Sequence, residues 1–136
     1  MTAAPILRIR TNDPRPIWRQ IEDGIRQEIA LGGLAPGGAV PSVRDLAREL
    51  RVNPNTVARA IQSLADAGVV ETRRGEGTFV AAEPPAIPRA ELATRLREEA
   101  SRYVAQAVAL GADLESTTEA VETAFRKLEK GIKERR

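Results

Sequence analysis

The sequence predicts a mainly α chain with one small β-hairpin, built in two parts. Three observations carry this. Three segments with helical apolar spacing precede Gly68, and two short β-patterned segments around a glycine-punctuated tip follow them. Beyond these, Glu83-Pro84-Pro85-Ala86-Ile87-Pro88 interrupts the chain with a run that neither a helix nor a central strand tolerates. The expected organisation is a first domain over residues 1–82, a proline-rich linker over 83–88 and a helical segment over 89–136.

Before the first helix, Ile6-Leu7-Arg8-Ile9-Arg10 reads as a short strand or an extended arm. Helix 1 is expected to start near Pro16, a residue suited to the first helical turn. Ile17, Ile21, Ile25 and Ile29 recur every four residues as one apolar stripe, with Trp18 beside it, and Gly32-Gly33 ends the helix. Residues 34–38 are a loop. Helix 2 opens at Ser42 with Asp45 three residues on, a capping-box spacing with Asp in place of Glu. Val43, Leu46, Ala47 and Leu50 face inward, while Arg44, Arg48 and Arg51 fall on another face.

Helix 3 starts with Asn53 as N-cap and Pro54 at the first helical position, and runs to about Ala67 before Gly68 stops it. Val57, Ile61 and Leu64 form its buried stripe. Thr56, Arg59 and Ser63 lie together elsewhere, with Asn55 in the first turn. Val69 to Thr72 and Thr78 to Val80 then read as the hairpin, with Arg73-Arg74-Gly75-Glu76-Gly77 at its tip.

Three helices and a hairpin make a winged helix-turn-helix. In that plan the second helix of the pair projects into the major groove while the first braces across the backbone. Helix 3 carries suitable chemistry: Asn55 can pair bidentately with adenine, Arg59 with guanine, and the Thr56 methyl can touch a thymine methyl. Arg44 is placed to clamp a phosphate, which fixes register without reading sequence. Arg73 and Arg74 on the wing could reach the adjacent minor groove or backbone, and Gly75 and Gly77 would let the loop approach closely. Glu76 would be repelled by phosphate, and Arg48 reads better as a solvated helix charge.

Composition narrows the function. The chain has 136 residues, no cysteine and no histidine, which makes a zinc site improbable and removes the commonest general base. No metal, cofactor or catalytic constellation is expected, so the chain is not read as an enzyme. No apolar run is long enough for a membrane span and no signal-peptide core is evident, so a cytoplasmic protein is expected. Net charge is only +2, but 11 Lys+Arg against 9 Asp+Glu fall within residues 1–82, so the excess lies there. Every basic residue before Lys127 is arginine, which suits bidentate phosphate and guanine contacts but would equally follow from a GC-rich genome.

The residues resemble a family beyond their topology. Pro16-Ile17-Trp18-Arg19-Gln20-Ile21, Pro41-Ser42-Val43-Arg44-Asp45-Leu46-Ala47, Val52 to Ala60, Gly68-Val69-Val70-Glu71 and Gly75 to Val80 are similar to the GntR family of bacterial regulators. The resemblance covers roughly residues 5 to 82. It implies DNA contacts at Arg44, Asn53, Asn55, Thr56, Arg59 and Gly75 to Gly77. Trp18 stands where the family often has tyrosine, Ile61 likewise, and Arg51 replaces a frequent glycine in the turn.

Helix 4 is expected from Arg89 to Leu110, with Leu92, Leu96, Tyr103, Ala107 and Leu110 near one face. After Gly111, Asp113 is the N-cap of helix 5, where Leu114, Thr118, Val121, Phe125, Leu128 and Ile132 form a heptad-like seam. Two such helices cannot bury both stripes alone, so a partner surface is expected through Leu92, Leu96, Tyr103, Leu110, Leu114, Val121, Phe125 and Leu128. The short two-helix tail resembles the YtrA subfamily, which implies dimerisation and, commonly, control of neighbouring transport genes. The leading expectation is a sequence-specific repressor binding a palindromic double-stranded operator as a homodimer. The alternative is an architectural protein that coats DNA without reading sequence. A small-molecule effector, if one acts, has no dedicated domain here and would have to bind between helices or between subunits.

Overall fold

The computed structural model describes residues 7–135 and divides the chain into two compact units, 1–85 and 86–136, parted within the proline cluster. The first holds α1 (Ile17–Ala30), β1 (Ala39–Val40), α2 (Val43–Leu50), α3 (Pro54–Asp66), β2 (Val70–Arg73) and β3 (Gly77–Val80). The second holds α4 (Arg89–Ala109) and α5 (Leu114–Arg135).

The helix boundaries follow from caps that the sequence supplies. The Ser42 hydroxyl accepts from the Asp45 N–H at 3.1 Å, and Pro54 occupies the first turn of α3 behind Asn53. Gly68 takes φ 78° to end α3. The turn between α2 and α3 departs from this economy: Arg51 caps α2 in the left-handed region at φ 56°, ψ 48°, the only described non-glycine residue with positive φ.

The core is the meeting of the three helices and the sheet. Ile21, Ile25, Leu46, Val57, Leu64, Val69, Val70 and Val80 are its largest fully buried side chains. Ile17 differs from expectation, being 42% exposed. A four-residue repeat advances about 40° per step on a 3.6-residue helix, so a stripe of four isoleucines spans about 120° and its ends leave the buried centre. Residues 7–10 form no strand, and Ile6 lies outside the described residues. Leu7 is instead buried against α1, so close to Gly24 that a side chain there would collide with its Cδ2. The buried Gln20 amide fixes this arm, accepting from the Arg10 N–H at 2.9 Å and donating to the Arg10 and Arg15 carbonyls, each at 3.1 Å.

In the hairpin the first strand lies one residue later than expected and the second begins one residue earlier, at Gly77, and the sheet gains a third strand. The sheet is antiparallel with order β1-β3-β2, pairing Val40 with Thr78 and Val70 with Val80. β1 escapes a reading of alternation because it is two residues long, between Gly38 and Pro41. It forms because β3 offers a free edge, which Gly37 and Gly38 also use in bonds to Val80.

In the second unit, α5 is capped by Asp113, whose carboxylate accepts from the Ser116 N–H at 2.8 Å and hydroxyl at 2.6 Å. The Tyr103 hydroxyl donates to the Thr117 carbonyl at 3.2 Å, tying the two helices together near their turn.

Candidate nucleic-acid interface

α3 is amphipathic in the way a groove-reading helix must be. Val57, Ala60, Ile61 and Leu64 are buried, and the opposite side stays at the surface with Asn55 and Arg59 exposed and Thr56 half-buried. α1 and α2 both pack against α3, so that surface is held by the core rather than by a loop.

Each candidate side chain meets a distinct environment. The Asn53 carboxamide oxygen accepts from the Asn55 N–H at 2.8 Å, so Asn53 is engaged as the cap of α3. Asn55 and Thr56 follow in the first turn, where backbone N–H groups and the helix dipole favour an anion. Arg44 is exposed in the first turn of α2. It borders an open groove between α2 and the start of α3 whose other walls are Val43, Ala47, Arg48, Val52 and Pro54. Arg48 is paired with Asp45 one turn back, as suits a solvated helix charge.

Arg59 does not project freely. Its guanidinium lies over the Trp18 ring, 4.5 Å from the centroid, a cation–π contact between α3 and α1. Arg73 is held similarly on the wing, 4.3 Å from the Phe79 ring centroid and 3.7 Å from the Glu71 carboxylate. Cross-strand register explains this cluster, since Glu71 pairs with Phe79 on one face of the hairpin. Arg74 is exposed at the tip, where the Glu76 N–H bonds the Arg73 carbonyl at 2.9 Å. Gly75 and Gly77 take φ 80° and 120°, so the turn needs residues without a side chain there.

Sequence reasoning missed Trp18 and Phe79 as partners of these arginines, and Gln62, exposed on the same side of α3 and bonded to Asp66 at 2.8 Å. The strands could have suggested Phe79. Nothing local links Trp18 to Arg59. Upstream, Arg15 bonds Asp13 and Asp23, each ion pair at 2.6 Å, and those carboxylates push its pKa further up, Asp13 most. Among the described residues no cluster of acidic side chains could hold a metal ion, and no helix is long and apolar enough to cross a membrane.

Residues 18–80 match the model for bacterial regulatory proteins of the gntR family. The HTH-type transcriptional repressor YtrA of Bacillus subtilis is 34% identical over 110 residues, covering 79% of this chain and 85% of that protein. The chain belongs to the GntR family. Among solved structures of this family, YtrA from Sulfolobus acidocaldarius superposes with a TM-score of 0.58 at 32% identity, over 71% of this chain and 98% of that one. AraR(DBD) in complex with operator ORX1 gives a TM-score of 0.51 at 28% identity, over 55% of this chain and 96% of that one. The GntR match thus runs from α1 to β3, and the YtrA repressor's extends over most of both chains.

Proposed function

We propose that this GntR-family chain is a non-enzymatic, cytoplasmic repressor that binds a palindromic operator as a homodimer. The observation that carries the reading is the exposed polar side of α3, with Asn55, Thr56 and Arg59 offered outward while the aliphatic side anchors the helix. The operator complex of AraR supports a duplex as the partner of this type of unit. The assigned roles are base-edge contact for Asn55, Thr56 and Arg59, phosphate contact for Arg44, and backbone or minor-groove contact for Arg73, Arg74, Gly75 and Gly77. Asn53 contributes by holding the start of α3.

The second unit supports the dimer. Leu92 and Leu96 on α4, and Val121, Phe125 and Leu128 on α5, are exposed, Phe125 at 64%. Monomeric soluble proteins rarely leave such stripes uncovered. A second copy covers them in kind, with Tyr103, Leu110 and Leu114 near the helical turn adding to the same surface. A dimer in turn places two α3 helices on two half-sites.

Selection of duplexes from a random library by the purified protein tests this. The expected product is a two-fold symmetric consensus with half-site centres about one helical turn, roughly 10 bp, or a multiple apart. Retention of duplexes without enrichment of any sequence would replace the repressor with an architectural protein.

A further inference from the structure

Arg59 is the one arginine on the outward side of α3, and its guanidinium is held by a ring instead of a carboxylate. Arg15, Arg19, Arg26, Arg48 and Arg73 each face an acidic side chain. Among the described residues Arg59 makes no such pair. The distinction has chemical consequences. A carboxylate would orient the guanidinium but would also occupy its donors and cancel its charge. An aromatic face restrains it without occupying its N–H donors as a carboxylate would, and leaves the charge uncompensated.

The platform itself is fixed. Trp18 stands in the first turn of α1, half-buried and packed against the core, and α1 is a principal neighbour of α3. An arginine free in solvent loses extensive rotamer freedom when it engages a base, whereas a stacked one has lost much of it beforehand.

We infer that Trp18 is a positioning residue for sequence readout: its indole holds the Arg59 guanidinium in place for the acceptor edge of a guanine. This rests on α3 being the helix that meets DNA. It makes α1 a contributor to specificity without contact with a base. A bidentate guanine contact requires the planar fork to arrive with its edge forward, and a guanidinium held over a ring samples fewer orientations before it meets the base than a free one does.

The probe is a duplex carrying the sequence selected by the wild-type protein, compared with a scrambled duplex of the same length at one salt concentration. Trp18→Leu keeps an apolar side chain and removes the ring. It should weaken binding of the selected duplex about three- to tenfold, the range expected when one rotamer-rich side chain is no longer ordered beforehand, and leave the scrambled duplex unchanged. In the double variant with Arg59→Ala, the loss should be no greater than for Arg59→Ala alone. Trp18→Tyr should restore most of the affinity. Additive losses in the cycle, or equal losses on both duplexes, overturn the inference.

If Arg59→Ala binds the selected duplex as well as wild type does, it is instead the reading of α3 that fails. Arg59→Lys gives a control at an exposed site that does not disturb the core. It keeps charge without a planar fork and should lose selectivity, so undiminished selectivity also overturns the inference. Trp18 is the chain's single tryptophan, so its emission reports on the stack in the free protein. Arg59→Ala should shift that emission, and an unchanged spectrum means the stack is absent in solution.

Discussion

The Asn53 side-chain oxygen and the Asn55 backbone N–H are joined at 2.8 Å, so the residue before the polar side of α3 secures the residue that begins it. This bond satisfies one of the donors a helix start leaves unpaired. Asn53→Ala should therefore cost about 1 kcal/mol of stability, as N-cap losses usually do. It should weaken specific and non-specific DNA binding together, because it frays the helix that both use. Asn53→Ser restores a capping oxygen and should return both. A serine variant of native stability that has lost operator selectivity would show Asn53 to be a base reader.

Arg51 holds φ 56° where a glycine would be unstrained. Arg51→Gly relieves a left-handed backbone that costs an L-residue roughly 1–2 kcal/mol, partly offset by the greater freedom of glycine in the unfolded chain. The expected net gain is about 0.5–1 kcal/mol, seen as a rise of a few degrees in the melting temperature. Arg51 is exposed, so little packing is lost. A lowered melting point would mean that the arginine side chain makes a compensating contact.

Arg44 tests the division between positioning and reading. As a phosphate contact it should contribute about one unit to the slope of log K against log salt concentration. Arg44→Ala should reduce that slope by about one and weaken all duplexes alike. Substitution at Arg59 should instead act on particular sequences. Titrations of selected and scrambled duplexes at several salt concentrations separate the two. A sequence-dependent loss at Arg44 would reassign it to base readout.

What could be read from the sequence was set by locality. Ser42, Asn53-Pro54, Gly68 and Asp113 mark helix ends because a cap acts within three residues, and the helices around them lie close to expectation. The polar side of α3 was legible because it is the complement of the apolar spacing of Val57, Ile61 and Leu64. β1 was not, since two residues carry no period and the strand exists only against β3. The Trp18–Arg59 stack joins residues in different helices, and the Gly24–Leu7 approach depends on where the arm is folded back. Such contacts arise from tertiary packing and have no signature in either segment alone. The Arg51 backbone lies between these cases: the missing glycine was visible, but the φ it imposes was not.

Asp113 gives the second unit a defined response to acid. Hydrogen bonds from the Ser116 hydroxyl first, and from its N–H, stabilise the carboxylate and hold its pKa below the ordinary 3.8. A folded-state pKa below the unfolded one means that the stabilisation is complete above about 3.8 and is lost as pH falls through the lower folded value. Helicity of α5 measured by circular dichroism should decline across that acidic window. Asp113→Asn keeps an accepting oxygen without a titratable group and should remove this component of the decline, whereas Asp113→Ala should reduce α5 helicity at neutral pH as well. An identical acid profile for wild type and Asp113→Asn would exclude the cap as its source.

Phe125 tests the dimer most directly. It lies between Val121 and Leu128 on one side of α5, where all three are about half exposed or more. Covering a large apolar side chain is worth about 1.5–3 kcal/mol, and placing a carboxylate there adds desolvation without a partner. Phe125→Asp should therefore raise the dimer dissociation constant by at least about a hundredfold, measured by analytical ultracentrifugation. The winged unit has its own core and should keep its melting transition. Affinity for a full operator should fall and become strongly dependent on protein concentration, while an isolated half-site should be bound as before. A variant that remains dimeric would move the interface off α5. A monomeric variant with undiminished operator affinity would separate oligomerisation from DNA reading altogether.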